Sequence, residues 1–378
     1  MDRKESGKLA GGMQPSGSNR VIVQSLRINI GQNMKASIQA IIIAGLLLSG
    51  CSTAPTTTVV NDLHVVARYK IGGIGGWDLA AFDEGHRRLF LSHSDRVVVM
   101  DGDSGIIAGE ITGQHGVHGI ALAPDLKRGY ASNGTSNTVT AFDLDTLKIV
   151  GEIKVTGINP DALLYDVTTR HLLSFNGRSA NVTLIDAKSL QVTGTIDLPG
   201  KPELAVSNGD GTVFVNIEDK SEVAVIDQAG GEVRSVWPLS PGEEPTGLAI
   251  DVVHHRLFAV CANHKIIVLD TVSGRLVQEL PIGEGPDSAA FDSATGLIYS
   301  SNGDGTLTVV HEDDPDHFRV VADVPTQLSA RTMALDATKH RIYLPAAELG
   351  PPLAPTEEHP HPRPSIVPET FSVLVVGS

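Results

Sequence analysis

The sequence predicts an all-β chain folded as a seven-bladed β-propeller of four-stranded blades. Three observations predict it. A β-branched run closing on Asp recurs at intervals of 41 to 43 residues. Each interval holds strand-length apolar runs separated by turn residues. The last interval lacks one strand, while a spare strand precedes the first.

The repeating run is Val-Val-Val-Met-Asp at 97–101 and Val-Thr-Ala-Phe-Asp at 139–143. It returns at 182–186, 223–227 and 266–270, and at 307–311 with His311 in place of Asp. The sixth repeat shows the unit most clearly. Residues 288–291 make a first strand and 292–296 turn the chain. Residues 297–300 make a second, and Asn302-Gly303-Asp304-Gly305 supplies hairpin chemistry. Residues 306–310 and 318–324 complete four strands, the content of one propeller blade. Blades start near Trp77, His118, Pro160, Pro202, Pro245, Pro286 and Ala330, which makes seven. The seventh offers strands at 342–344 and 371–376 but no fourth. Residues 63–71 are the spare strand. Joining that strand to the last blade closes the ring and removes an exposed edge.

The N-terminal segment reads as an address. Residues 41–48 (Ile-Ile-Ile-Ala-Gly-Leu-Leu-Leu) are too short to span a bilayer, which takes about 20 residues, and suit a signal-peptide core. Lys35 precedes them, and Leu48-Ser49-Gly50-Cys51 follows and resembles a bacterial lipobox. The expected organisation is an extra or spurious leader at 1–33, a lipoprotein signal peptide at 34–50, a polar tether at 51–59 and the propeller at 60–378. Cys51 is the expected lipidation site. The body is expected outside the cytoplasm, held to the cell membrane or outer membrane through lipid alone.

Charge and cysteine count exclude several classes. The net charge is −15; residues 1–50 hold six bases and two acids, so residues 51–378 carry −19. Such a body repels polyanions, and a nucleic-acid partner is not expected. Two cysteines, Cys51 and Cys261, are too few for a cysteine zinc site or an iron–sulfur cluster. Cys261 is expected as a small buried apolar residue. No Gly-x-Ser-x-Gly elbow or phosphate-binding P-loop is present.

Tyr299-Ser300-Ser301-Asn302, Tyr130-Ala131-Ser132-Asn133 and, more loosely, Leu172-Leu173-Ser174-Phe175-Asn176 share a pattern. It resembles the signature of the YVTN/YncE-type seven-bladed β-propeller repeat family. His93, Ile217, Cys261 and Ala346 stand at or near the Asn position in the other blades. The resemblance covers roughly residues 60–378 and implies the propeller fold.

Propellers bind ligands where loops enter their innermost strands. Counting five positions back from the Asp that ends each first strand, or its equivalent, gives Asp78, Asp161, Glu203, Thr246, Asp287 and Arg331. The second blade places His118 there. In a closed ring these residues ring one mouth of the axial channel, a candidate site for a divalent cation or a basic group. His359 and His361, in a proline-rich insertion, are a secondary metal candidate. The segment 311–317 (His-Glu-Asp-Asp-Pro-Asp-His) is expected as a solvated acidic turn.

The leading functional expectation is a monomeric binding or scaffold module for a protein, peptide or small ligand in the cell envelope. The alternative is a propeller enzyme such as a lactonase, with a metal or acid/base site at the channel mouth.

Overall fold

The structure, a computed structural model, describes residues 62–351 and 364–378. The leader, signal peptide, tether and Cys51, together with His359 and His361, lie outside the described residues.

β-Branched runs form the third strand of each blade because that strand is buried on both faces between neighbouring sheets. Val97, Val98, Val99 and Met100 have no exposed surface, nor do Ile266, Ile267 and Val268. Outer strands alternate instead, as in Glu232–Pro238, where every second residue is exposed. Seven four-stranded antiparallel sheets result. In blades 1 to 6 the strands run in chain order from axis to rim: blade 1 comprises Trp77–Asp83, Arg88–His93, Arg96–Asp101 and Ile107–Thr112. First strands of successive blades touch one another and line the axis.

Blade 7 closes the ring as the sequence predicts. Its sheet runs Ala334–Asp336, Arg341–Ala346, Ser372–Gly377, with His64–Lys70 outermost and antiparallel to Ser372–Gly377. Blades 1 and 7 are then latched together. Arg87 donates through Nη1 to Oδ1 of the fully buried Asp336 at 2.8 Å. The Tyr343 hydroxyl donates to the Gly102 carbonyl at 2.9 Å. Phe82 stacks on Tyr343 at 5.1 Å, and Trp77 on Phe371 at 5.3 Å.

The Asn of the repeat signature has a structural role. Asn302 Nδ2 donates to the Thr306 and Thr308 hydroxyls at 2.9 and 3.0 Å, tying second strand to third. Asn133 does the same with Thr138 and Thr140, and Asn176 with Asn181 and Thr183. Blade 1 carries His93 there, fully buried against Phe371 at a ring separation of 4.6 Å. Cys261 is buried, as expected.

One expectation is corrected. Residues 311–317 are not a solvated turn. The hairpin of blade 6 is lengthened, with strands Thr306–Asp314 and His317–Pro325, so only 315–316 lie between them. Strand alternation turns Glu312 inward, where it is 9% exposed, while Asp313 and Asp314 face solvent.

Candidate functional site

Each first strand of blades 1 to 6 shifts register near its start, as between Trp77 and Ala80 or Pro160 and Leu163. Such a bulge re-aims a side chain that would otherwise follow the pleat. Asp78, His118, Asp161, Glu203, Thr246 and Asp287 are each the second residue of their strand, and all are partly buried. In blade 7 the inner strand is only three residues long, and Arg331 sits in the loop ahead of it.

Neighbouring blades fix the backbone of these residues. The Ser132 hydroxyl donates to the Asp161 carbonyl at 2.6 Å, and Thr332 to that of Asp78 at 2.8 Å. Ser301 donates to the carbonyl of Arg331 at 2.5 Å, and Asn216 to that of Thr246 at 3.0 Å. Thr332 and Asn216 were not singled out in the sequence, and Ser132 and Ser301 were read there only as part of the repeat signature. They hold the mouth rigid, because each carbonyl is tied to a second sheet.

The side chains then fall into contact around the ring. His118 Nδ1 lies 2.7 Å from Asp78 Oδ2 and 3.9 Å from Asp161 Oδ1. One ligand atom from each of these three residues lies within 4.8 Å of the others. Arg331 pairs with Asp287 and reaches to 4.0 Å from Asp78. Glu203 pairs with Lys201 at 2.7 Å, and Lys201 also pairs with Glu218. Thr246 stands apart, since its hydroxyl donates to the Pro286 carbonyl at 2.8 Å. Lys201, two residues before a predicted position, was missed by counting along the strands.

Burial and crowding of like charge set the proton affinities. Burial, followed by the Asp78 charge, raises Asp161 above the ordinary carboxylate range. Burial raises Glu203 to about 7, against the attraction of Lys201 and with a further push from Asp161. Burial works against the Lys201 ammonium, yet Glu203 and Glu218 hold it above the ordinary lysine range. The mouth therefore combines a nitrogen-and-oxygen donor triad, a carboxyl poised near neutrality and a guanidinium in one place.

A groove of about 500 Å³ lies elsewhere, between blades 3 and 4, with Asp210, Asp227 and Arg234 in its wall. Its acids are committed to their own turns: Asp227 accepts from the Ala229 amide at 3.0 Å, and Asp210 from that of Thr212 at 3.0 Å. A second donor cluster, Asp251, His254 and Glu312, joins blades 5 and 6. Sequence reading missed it because Glu312 was assigned to a solvated turn.

No family model matches the chain. A stretch of 152 residues is 28% identical to the uncharacterized protein YncE of Escherichia coli (strain K12), covering 37% of this chain. The chain thus matches 42% of that relative's length. Among solved structures, it superposes on Kuenenia stuttgartiensis hydrazine synthase with a TM-score of 0.62 and 18% identity, over 72% of this chain and 92% of that one. A chain of a mitotic checkpoint complex gives a TM-score of 0.69 at 12% identity, over 90% and 99%. At these identities the likeness shows the fold alone. The protein is a seven-bladed β-propeller distantly related to YncE-like proteins.

Proposed function

We propose that this protein is a propeller hydrolase that opens a small ester or lactone at the axial mouth, with a divalent cation held by Asp78, His118 and Asp161. The observation that carries this reading is the approach of those three ligand atoms to within 4.8 Å of one another. One imidazole and two carboxylates suit a borderline ion such as zinc or manganese. The cation would supply polarisation of the carbonyl. Glu203, which holds its proton up to about 7, takes a proton from the attacking water and returns it to the departing alkoxide as the C–O bond breaks. Arg331, oriented by Asp287, offers its guanidinium to an anionic group on the substrate.

The test is hydrolysis of a panel of lactones and simple esters by the metal-loaded chain. Turnover lost in both His118→Ala and Glu203→Gln supports the reading. A bound ion without turnover of any panel member would favour the other reading, a binding or scaffold module for a protein, peptide or small ligand.

The lipid-anchored address is proposed on the Leu48-Ser49-Gly50-Cys51 tetrapeptide and the apolar run before it. Radiolabelled palmitate incorporation that disappears in Cys51→Ala tests it. Equal labelling of the variant would refute it.

A further inference from the structure

Five blades end their first strand on a buried Asp: Asp83, Asp166, Asp251, Asp292 and Asp336. Buried carboxylates need donors, and a side-chain donor meets each of the five. Asp83 lies 2.8 Å from His86 Nδ1, and Asp292 lies 2.7 Å from His340 Nδ1. Arg87 serves Asp336. Asp166 accepts from the Ser207 hydroxyl at 2.8 Å and from Gln228 Nε2 at 2.6 Å.

Blade 5 differs. Asp251 Oδ1 accepts from the amides of Val253 and His254 at 2.9 and 3.3 Å, which fixes the carboxylate. Asp251 Oδ2 lies 2.6 Å from His254 Nδ1. The residue arriving from the next blade is Glu312, one position past the repeat's terminal His311. Gln228 holds the same position after Asp227. Blade 4 thus brings an amide donor to the Asp of blade 3, while blade 6 brings an acceptor to the Asp of blade 5. The Glu312 side chain is 4% exposed, and neither of its oxygens has a hydrogen-bond partner. Its Oε1 lies 3.1 Å from the same His254 Nδ1. That nitrogen carries at most one proton and cannot serve both carboxylates.

The neighbouring cation does not resolve this. Arg256 donates to the carbonyls of His254 and His255, to Asp270, to the Pro315 carbonyl and to Asp316. The lengthened hairpin of blade 6 supplies both Glu312 and two of the groups that hold this guanidinium, the Pro315 carbonyl and Asp316.

We propose that Asp251, His254 and Glu312 form a second divalent-metal site of the zinc class, pinning blade 5 to blade 6 at the end of the ring opposite the channel mouth. A cation among the three satisfies the two carboxylates and the imidazole nitrogen at once, which a single proton does not. The donor set of one nitrogen and two oxygens matches zinc chemistry. His254, whose side chain is 47% exposed, leaves one side of the ion open to water. The Asp-x-x-His spacing alone carries none of this, since Asp83 and His86 share it in a blade whose next neighbour offers Leu144.

The experiment uses the full chain, stripped with chelator, reloaded with zinc chloride and freed of loose metal. Metal content is read by mass spectrometry. The background is His118→Ala, which disables the axial triad, so failure there does not affect this site. The expected result is about one zinc per chain in that background, lost when Glu312→Gln or His254→Ala is added. Chelator-treated Glu312→Gln should melt no lower than its parent, because Gln recreates the donor that Gln228 supplies in blade 4. Zinc should raise the melting temperature of the parent by a few degrees and leave Glu312→Gln unmoved. Equal zinc in parent and Glu312→Gln, or none in the parent, would overturn the proposal and leave Glu312 as a protonated carboxyl bonded to Asp251.

Discussion

Glu203→Gln is expected to stabilise the fold above pH 7. The folded chain holds the Glu203 proton up to about 7, against an ordinary value of 4.5. An acid raised in this way contributes stability below 4.5 and loses it as the pH climbs to 7, because the folded state binds the extra proton. At about 1.36 kcal/mol per tenfold, the full interval amounts to about 3.4 kcal/mol, already net of the Lys201 attraction. The side chain is 19% exposed, and solvent screening reduces the penalty to roughly 2 kcal/mol. Gln removes the penalty and leaves Lys201 its partner Glu218. Urea denaturation at pH 5 and pH 8 measures the difference: the variant should gain about 2 kcal/mol at pH 8 and much less at pH 5. A stabilising loss of this kind marks a side chain held for function at a cost to the fold. Zinc or manganese should narrow the gap, since a cation beside Asp161 favours the ionised carboxylate. A variant no more stable than wild type at pH 8, or one with the same gain at both pH values, would refute the reasoning.

Other outcomes follow from the same contacts. Arg87→Ala leaves the fully buried Asp336 with backbone donors alone and should cost about 2 to 4 kcal/mol by denaturation, with part recovered in Arg87→Ala/Asp336→Asn; a loss below about 0.5 kcal/mol would remove the latch from the account. Asn302→Ala removes three side-chain hydrogen bonds, two donated to Thr306 and Thr308 and one accepted from the Ser300 hydroxyl, and should cost about 2 to 3 kcal/mol, measured by the same assay. Burial, aided by Arg96, lowers His93 to about 4. Its contribution is therefore complete above 6.5 and lost as the pH falls towards 4, so His93→Leu should flatten the stability profile across that window. Deleting residues 62–71 exposes the edge of Ser372–Gly377 and should give a concentration-dependent oligomer by light scattering.

Most of the architecture is legible in the chain because one pattern repeats. Runs such as Val-Val-Val-Met-Asp are apolar on consecutive residues, as a strand buried on both faces requires, and their spacing counts the blades. The spare strand and the incomplete last repeat together disclose the closure. The positions of the residues at or near the starts of the inner strands are also readable, since each sits a fixed five positions before a recurring turn. What the chain conceals are contacts between blades. Arg87 and Asp336 are 249 residues apart, and nothing local marks the pair. Lys201 lies in a loop, off the strand register used for counting. Glu312 was hidden by its neighbours: a cluster of four titratable residues before a proline reads as solvated, yet strand alternation sends one of them inward. The Asn signature was legible as a family mark, but its task of clamping two strands emerges only with the Thr306 and Thr308 hydroxyls in place.

The proposed cation at the axial mouth is tested most directly by anomalous X-ray scattering from crystals of the zinc-loaded chain. The expected result is a peak between Asp78, His118 and Asp161, about 2.0 to 2.2 Å from one atom of each, that vanishes in His118→Ala. An axis without such a peak, in crystals whose zinc is otherwise accounted for, would contradict it.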